Sequence, residues 1–308
     1  MTAPSISRAR RGGRISRTQP FRILVASSAE PSSVGALRIA TLLARRRSAS
    51  VHALIVATPF PHALPSHFTV GPPPFIDEDN RRTAVELLRR QLATVRGTRE
   101  WTMRASTGFP ADSIIRTAAR WPASLVVMGS GSHGIAHRLL GSDTAVNVIT
   151  HTTVPVLAVP ADARDLPVRA VAAVDFSDSS IAAARLAATL LGPNGTITLL
   201  YASPLIVEHG ETGTLTDLYT TGARDRLEEV ALDIGRRTKR SVKWAVANGA
   251  IVDRILEFAG DHQCDLITLG AHEPTLLERL LVGHVRAAVL REAACAVLVV
   301  PAVASDDP

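Results

Sequence analysis

Arg22-Ile23-Leu24-Val25, running on to Ser32-Ser33 and Ala36-Leu37-Arg38, returns later in the chain as Arg169-Ala170-Val171-Ala172, Ser179-Ser180 and Ala183-Ala184-Arg185. Matching residues are 147 apart at this point. Further along they are 141 apart, pairing Gly108 with Gly249, Asp112 with Asp253, Gly129 with Gly270 and Pro160 with Pro301. Both stretches close on an apolar run of β-type residues, Val154-Pro155-Val156-Leu157-Ala158-Val159 and Ala296-Val297-Leu298-Val299-Val300. Self-similarity over such a length marks a duplicated domain. The organisation that follows is an Arg-rich tail at residues 1–20, a first domain at 21–160, a linker at 161–167, a second domain at 168–303 and a short tail at 304–308.

Within the first copy, hydrophobic periods of 2 and 3.6 alternate. Residues 21–27 are a continuous apolar run of the kind that strands buried on both faces require. A helix is expected over 32–46, a strand over 51–57, and a long Pro-rich loop over 58–76. Asp77-Glu78-Asp79 then opens a helix whose last turn carries Arg96 before Gly97, as the helix dipole and capping favour. A strand near 101–105, a helix over 111–120, a strand at 125–128, a helix from Ser142 and the strand at 154–159 complete the unit. Such alternation implies an α/β fold with a parallel sheet covered on both faces. Ligands of such sheets sit at the carboxyl ends of the strands, near the switch in strand order. The loops after the first and fourth strands are therefore where chemistry is to be sought.

The chain has 308 residues, 46% of them hydrophobic, which suits two globular domains. No uninterrupted apolar stretch approaches the roughly 18 residues of a membrane span, so an integral membrane protein is not expected. The net charge of +6 suggests an anionic partner until it is located. Arg8, Arg10, Arg11, Arg14 and Arg17 lie in the first 20 residues, which hold no acidic residue, so the remainder is close to neutral. That tail lacks the apolar core of a secretory signal and a clear amphipathic helix of a presequence, and reads as a disordered, solvated extension. A specific nucleic-acid function does not follow from the charge.

After the fourth strand the chain reads Gly129-Ser130-Gly131-Ser132-His133-Gly134, and after six more residues Gly141-Ser142 opens a helix. Closely spaced glycines let backbone N–H groups approach an anion, and a helix N-terminus favours a phosphate. The same residues also read as a plain strand-to-helix loop with Ser142 as N-cap. Neither a P-loop lysine pattern nor a dinucleotide glycine fingerprint after the first strand is present.

Taken together, Val171-Ala172-Ala173-Val174-Asp175-Phe176-Ser177-Asp178-Ser179-Ser180, Gly108-Phe109-Pro110-Ala111, the Gly-rich loop ending Leu140-Gly141-Ser142 and the terminal Val-Pro-Val-Leu-Ala-Val run resemble a tandem member of the universal stress protein family. The resemblance covers nearly everything after residue 20. It implies two tandem domains, each an open five-stranded parallel sheet covered by helices on both faces, of the adenine nucleotide alpha hydrolase type. It further implies that the domains pair along their last strands, residues 154–159 and 296–300, with a homodimer as a further assembly.

In nucleotide-binding members the resemblance implies ATP held by an acidic residue after the first strand and by a loop of form Gly-x2-Gly-x9-Gly-Ser/Thr. In this chain that points to Ser28, Val56, Gly129, Gly131, Gly134, Gly141 and Ser142 in the first domain, and to Asp175, Gly270 and Gly283 in the second. Each copy departs from the pattern in its own way. Copy one has Ser28 where the acid stands, and its loop is too short whether counted from Gly129 or from Gly131. Copy two keeps Asp175 and the spacing from Gly270 to Gly283, but Glu273 replaces the second glycine and His284 the hydroxyl residue. A carboxylate in a phosphate-facing loop repels the ligand, so the second pocket is expected to be degenerate.

Other chemistry is poorly supported. His133 and His137 lie in the Gly-rich loop and His62 and His67 in the Pro-rich loop, without the helical His-Glu-x-x-His or cysteine partners of a metal site. Cys264 and Cys295 precede apolar strands and read as buried, unreactive thiols suited to a reducing cytoplasm. Lys239 and Lys243 are the chain's lysines, which leaves little scope for Schiff-base or phosphate-clamping chemistry. Trp101, Trp121 and Trp244 read as core or interface packing. The sequence thus favours a non-catalytic, cytoplasmic stress-response protein with an adenine-nucleotide site in domain 1 and no metal. An interaction module of the same fold with both pockets degenerate, and a slow ATPase, are the alternatives.

Overall fold

A computed structural model describes residues 20–57, 74–131, 141–203, 212–271 and 282–302, with side chains omitted at the first residues of some helices. In the first half, β1 (Arg22–Ser27), α1 (Val34–Arg47), β2 (Ser50–Ala57), α2 (Pro74–Ala93), β3 (Thr102–Thr107), α3 (Pro110–Arg120), β4 (Leu125–Gly129), α4 (Gly141–His151) and β5 (Val156–Val159) follow one another. The second half repeats them as β6 (Arg169–Ala173), α5 (Asp178–Leu190), β7 (Thr196–Ser203), α6 (Thr212–Thr238), β8 (Ser241–Asn248), α7 (Ile251–Asp261), β9 (Leu266–Ala271), α8 (Val282–Glu292) and β10 (Ala296–Pro301).

The strands form one sheet of ten in the order β3-β2-β1-β4-β5-β10-β9-β6-β7-β8. Each half is five parallel strands, and the halves meet where β10 runs antiparallel to β5, with Leu298 opposite Leu157. In both halves the first strand lies between the second and the fourth: β1 pairs with β2 and β4, and β6 with β7 and β9. The connections after β1 and β4 therefore leave in opposite directions and open a crevice at the carboxyl edge.

Sequence alternation decides which face each strand residue covers. Ile23 and Val25 belong to a core with Leu37, Leu43 and Leu88 from α1 and α2, whereas Leu24 and Ala26 face a second core with Ile114 and Val148 from α3 and α4. Ile23, Leu24 and Val25 are all wholly buried, which is why β1 reads as an unbroken apolar run. Cutting any of these side chains back to Ala removes contacts worth about 2–5 kcal/mol.

Some boundaries differ from the sequence reading. α2 begins at Pro74, three residues before the acidic cluster, since proline is tolerated at a first helical position. Of the Pro-rich loop, residues 58–73 lie outside the described structure. A short 3-10 turn at Pro31–Ser33 precedes α1. β5 starts at Val156, because Pro155 has no N–H to give the ladder, although its carbonyl accepts from Val126 N at 2.8 Å. Trp101 is core, but Trp244 on the edge strand β8 is 38% exposed. No described helix is long and apolar enough to cross a membrane.

Candidate functional site

The first wall of the crevice is the corner between β1 and α1. Ala29 turns the chain in the left-handed region, φ 60°. The Ser28 N–H donates to the buried Ser33 Oγ at 3.1 Å, and the two hydroxyls lie 2.9 Å apart. Ser27 Oγ accepts from Ala29 N at 2.9 Å and donates to Gln91 Oε1 at 2.5 Å. Gln91 Nε2 in turn donates to Glu30 O at 2.6 Å. A buried amide on α2 thus clasps the corner from both sides. Sequence reading missed Gln91, although a glutamine on the same helix stripe as Ala84, Leu88 and Leu92 is a polar residue at a core position.

The second wall begins at Gly129, the last residue of β4. A Cβ there would stand 2.7 Å from Ser32 O, so glycine lets the α1 turn close down on the strand end. Gly131 follows at φ 90°, a conformation that side chains strain. Gly134 and the histidines His133 and His137 lie outside the described residues, as do His62 and His67. Gly141 and Ser142 are the first two residues of α4, whose N-terminal turn contributes Thr144 to the crevice.

Between these walls lies a cleft of about 430 Å³. Of the residues singled out from sequence, it brings together Ser28, Val56, Gly129 and Gly131. Leu54, Ile114 and Met128 supply an apolar surface, while Ser28, Ser33 and Thr144 supply hydroxyls. Glu30 is the one charged side chain among the described lining residues. The arrangement suits a ligand with one flat apolar portion and one portion rich in hydrogen-bonding groups. Its described lining holds a single carboxylate, Glu30, and no carboxylate pair.

The corresponding corner of the second half, between β6 and α5, places Asp175 and Gly270 as Ser28 and Gly129 are placed. Asp175 Oδ1 accepts from Ser177 N at 2.9 Å and from Ser177 Oγ at 2.5 Å. Ser177 Oγ accepts from Ser180 N at 3.2 Å, capping α5. Burial pushes the Asp175 carboxyl up, but the hydrogen bonds from Ser177 and Ser180 outweigh it and hold the group below its ordinary value. Phe176 sits left-handed at φ 66°, packs its ring 5.2 Å from Tyr201 and lies under the Arg226 guanidinium at 4.4 Å. Gly283 falls in the first turn of α8, and Glu273 lies outside the described residues.

No cluster of three or more His, Cys, Asp or Glu side chains stands together among the described residues. Cys264 and Cys295 are half-buried, and burial pushes their thiols up to about 11 and about 12. Thiols so raised are poor nucleophiles at neutral pH.

The sequence signature of the Universal stress protein family matches this chain twice, over residues 21–160 and 169–301. A universal stress protein from Archaeoglobus fulgidus DSM 4304 superposes with a TM-score of 0.64 at 16% identity, covering 92% of this chain and 97% of that one. A putative universal stress protein from Pseudomonas aeruginosa UCBPP-PA14 gives 0.61 at 16% identity, covering 92% and 94%. A functionally unknown protein from Pseudomonas aeruginosa PAO1 gives 0.60 at 16% identity, covering 92% and 93%. None of the curated proteins matches the chain.

Proposed function

This chain belongs to the universal stress protein family, and from that premise we propose that it is a non-catalytic, cytoplasmic stress-response protein whose first domain binds an adenine nucleotide, ATP foremost. The observation that carries this reading is the cleft at the carboxyl ends of β1, β2 and β4, where Ser28, Val56, Gly129 and Gly131 converge. A purine ring would lie against Leu54, Val56, Ile114 and Met128, and the serine hydroxyls would meet the ribose. Phosphates would meet backbone N–H groups at Gly131 and at the α4 N-terminus, which starts with Gly141-Ser142. The second domain keeps Asp175 but carries Glu273 after β9 and His284 in the first turn of α8, and its pocket is degenerate. The two halves form an internal pseudo-dimer along β5 and β10. No metal and no nucleic acid take part.

A second reading, an interaction module with two degenerate pockets, is favoured by one observation. The charged residue lining the cleft is the carboxylate of Glu30, and no basic side chain among the described lining residues faces it. Thermal melting separates the two. If ATP is bound, ten times its Kd should stabilise the protein by about 1.4 kcal/mol, and Gly131→Val should abolish that response. An unchanged melting curve at millimolar ATP removes the nucleotide and leaves the interaction module.

A further inference from the structure

The opposite edge of the sheet, at the amino ends of the strands and away from the cleft, carries a second difference between the halves. In the first half, Trp121 follows α3 and its indole lies against the sheet. Its ring centroid is 5.3 Å from that of His52, and the Arg22 guanidinium stands 5.8 Å from it. His52 Nδ1 is 2.6 Å from Thr102 Oγ1 on the neighbouring strand. Four side chains from β1, β2, β3 and the end of α3 thus close over one spot.

The second half keeps the backbone of this spot and changes its contents. Trp121 N bonds Thr117 O at 2.9 Å, and His262 N bonds Phe258 O at 3.1 Å. Ala123 N bonds Ala118 O at 3.1 Å, and Cys264 N bonds Ala259 O at 2.7 Å. The strand register is equally preserved: Leu24, His52 and Thr102 stand side by side in one half, and Val171, Thr198 and Lys243 in the other. Arg22 therefore corresponds to Arg169, His52 to Thr198, Thr102 to Lys243 and Trp121 to His262. The histidine does not fill the indole's place. It folds back on its own helix and stacks on Phe258, ring centroids 3.9 Å apart and planes 12° apart.

A cavity of about 300 Å³ results, lined by Arg169, Thr198, Lys243, Ala245, Phe258 and His262 among others. Arg169 is anchored there by its Nε, which donates to Gln263 O at 2.9 Å. Lys243 is exposed and makes no ion pair among the described residues. Trp244, the next residue of β8, turns its partly exposed indole to the opposite face of the sheet.

We propose that this cavity is a binding site for a small planar aromatic acid: a bicyclic ring taking the place that Trp121 fills in the first half, with its carboxylate on Lys243. The first half supplies the template, since an indole there packs on the sheet beside a guanidinium. The ring would meet Arg169 through its face and Phe258 through apolar contact. The gain of Lys243 where the first half has a threonine adds to Arg169 a second, unpaired cation, which an exchangeable acid can use and a covalently attached ring does not need. The cavity is at the lower end of the usual range for small-molecule sites and matches a two-ring compound with a short acidic arm.

Calorimetric titration of the full chain with indole-3-acetate and its uncharged partner indole-3-acetamide tests this. The acid should bind saturably, one per chain, and saturating ATP should leave that binding unchanged. Lys243→Ala should weaken the acid about threefold to tenfold and leave the amide as it was. His262→Trp, which restores the plug of the first half, should remove binding of both and raise the melting temperature. Thr198→His, which restores the neighbouring imidazole, reads the same loss if the tryptophan variant does not fold. Absence of saturable binding, displacement by ATP, an equal effect of Lys243→Ala on acid and amide, or full binding by the plugged variants would each overturn the proposal.

Discussion

In the corner between β1 and α1 the left-handed residue is Ala29, at φ 60°; in the corner between β6 and α5 it is Phe176, at φ 66°. Each corner has a backbone N–H tied to a buried serine five residues on, Ser28 to Ser33 at 3.1 Å and Asp175 to Ser180 at 3.4 Å. Each is pressed against a glycine at the end of the adjacent strand. What differs is the source of the remaining restraint. The second corner holds itself, through the Asp175 carboxylate on Ser177 and the Ser177 cap on α5. The first has Glu30 at the cap position with no side-chain cap bond, and is held instead by Gln91 reaching in from α2. Backbone path and glycine contact are therefore properties of the fold, whereas the polar side chains have diverged with the pockets they face. A corner held from behind leaves its hydroxyls facing the cleft; a corner closed on its own carboxylate does not.

The shared part of the comparison should show the largest effect when broken. A Cβ at Gly270 would lie 2.3 Å from Ser180 N and 2.6 Å from Ser179 C, all backbone with nowhere to retreat. At Gly129 the nearest approach is 2.7 Å, to the single oxygen of Ser32. Gly270→Ala should therefore cost about 3 kcal/mol and Gly129→Ala about 2 kcal/mol, read from urea unfolding. A larger loss at Gly129 would show that the two corners are not packed alike.

The divergent part comes next. Gln91→Leu keeps the volume roughly but leaves Ser27 Oγ without its acceptor and Glu30 O with the Ser33 N–H alone, a loss of about 1–3 kcal/mol. Amide exchange should accelerate over residues 28–33 and stay unchanged over 175–180. Equal acceleration in both corners would mean that Gln91 supports the whole sheet rather than one corner.

These residues also mark how far the sequence could be read. The repeat, the buried strands and the crevice at the strand-order switch were legible because each leaves a local or periodic trace: Ile23, Leu24 and Val25 are apolar in succession because both faces of β1 are covered. The glycines were visible but their reasons were not. Gly129 looked like part of an anion loop, whereas its demonstrable role is to admit Ser32, and that contact joins residues almost a hundred positions apart. Gln91 escaped because its partners Ser27 and Glu30 lie on another element. Ala29 and Phe176 escaped because nothing in an alanine or a phenylalanine announces a positive φ. Trp244 read as packing and proved partly exposed, since an edge strand lacks a neighbour on one side.

The smallest effect concerns the charge that separates the corners. The Asp175 carboxyl is held below its ordinary value because hydrogen bonds from Ser177 and Ser180 outweigh its burial. A depressed carboxyl contributes stability that is present above the unfolded value, roughly 3.9, and is lost as the pH falls through the lower folded value. Asp175→Asn should therefore be less stable than the parent at pH 7, and the gap should close as the pH is lowered below about 4. Ser28→Asp in the first corner should bring no matching gain, because residue 30 there is a glutamate, whose like charge replaces the serine that satisfies Asp175. The double change Ser28→Asp with Glu30→Ser supplies both partners on a backbone that already has the left-handed turn. That variant should acquire the acid-sensitive increment of the second corner. If it does not, the tether from Gln91 holds the first corner in a geometry that the self-capped arrangement cannot enter.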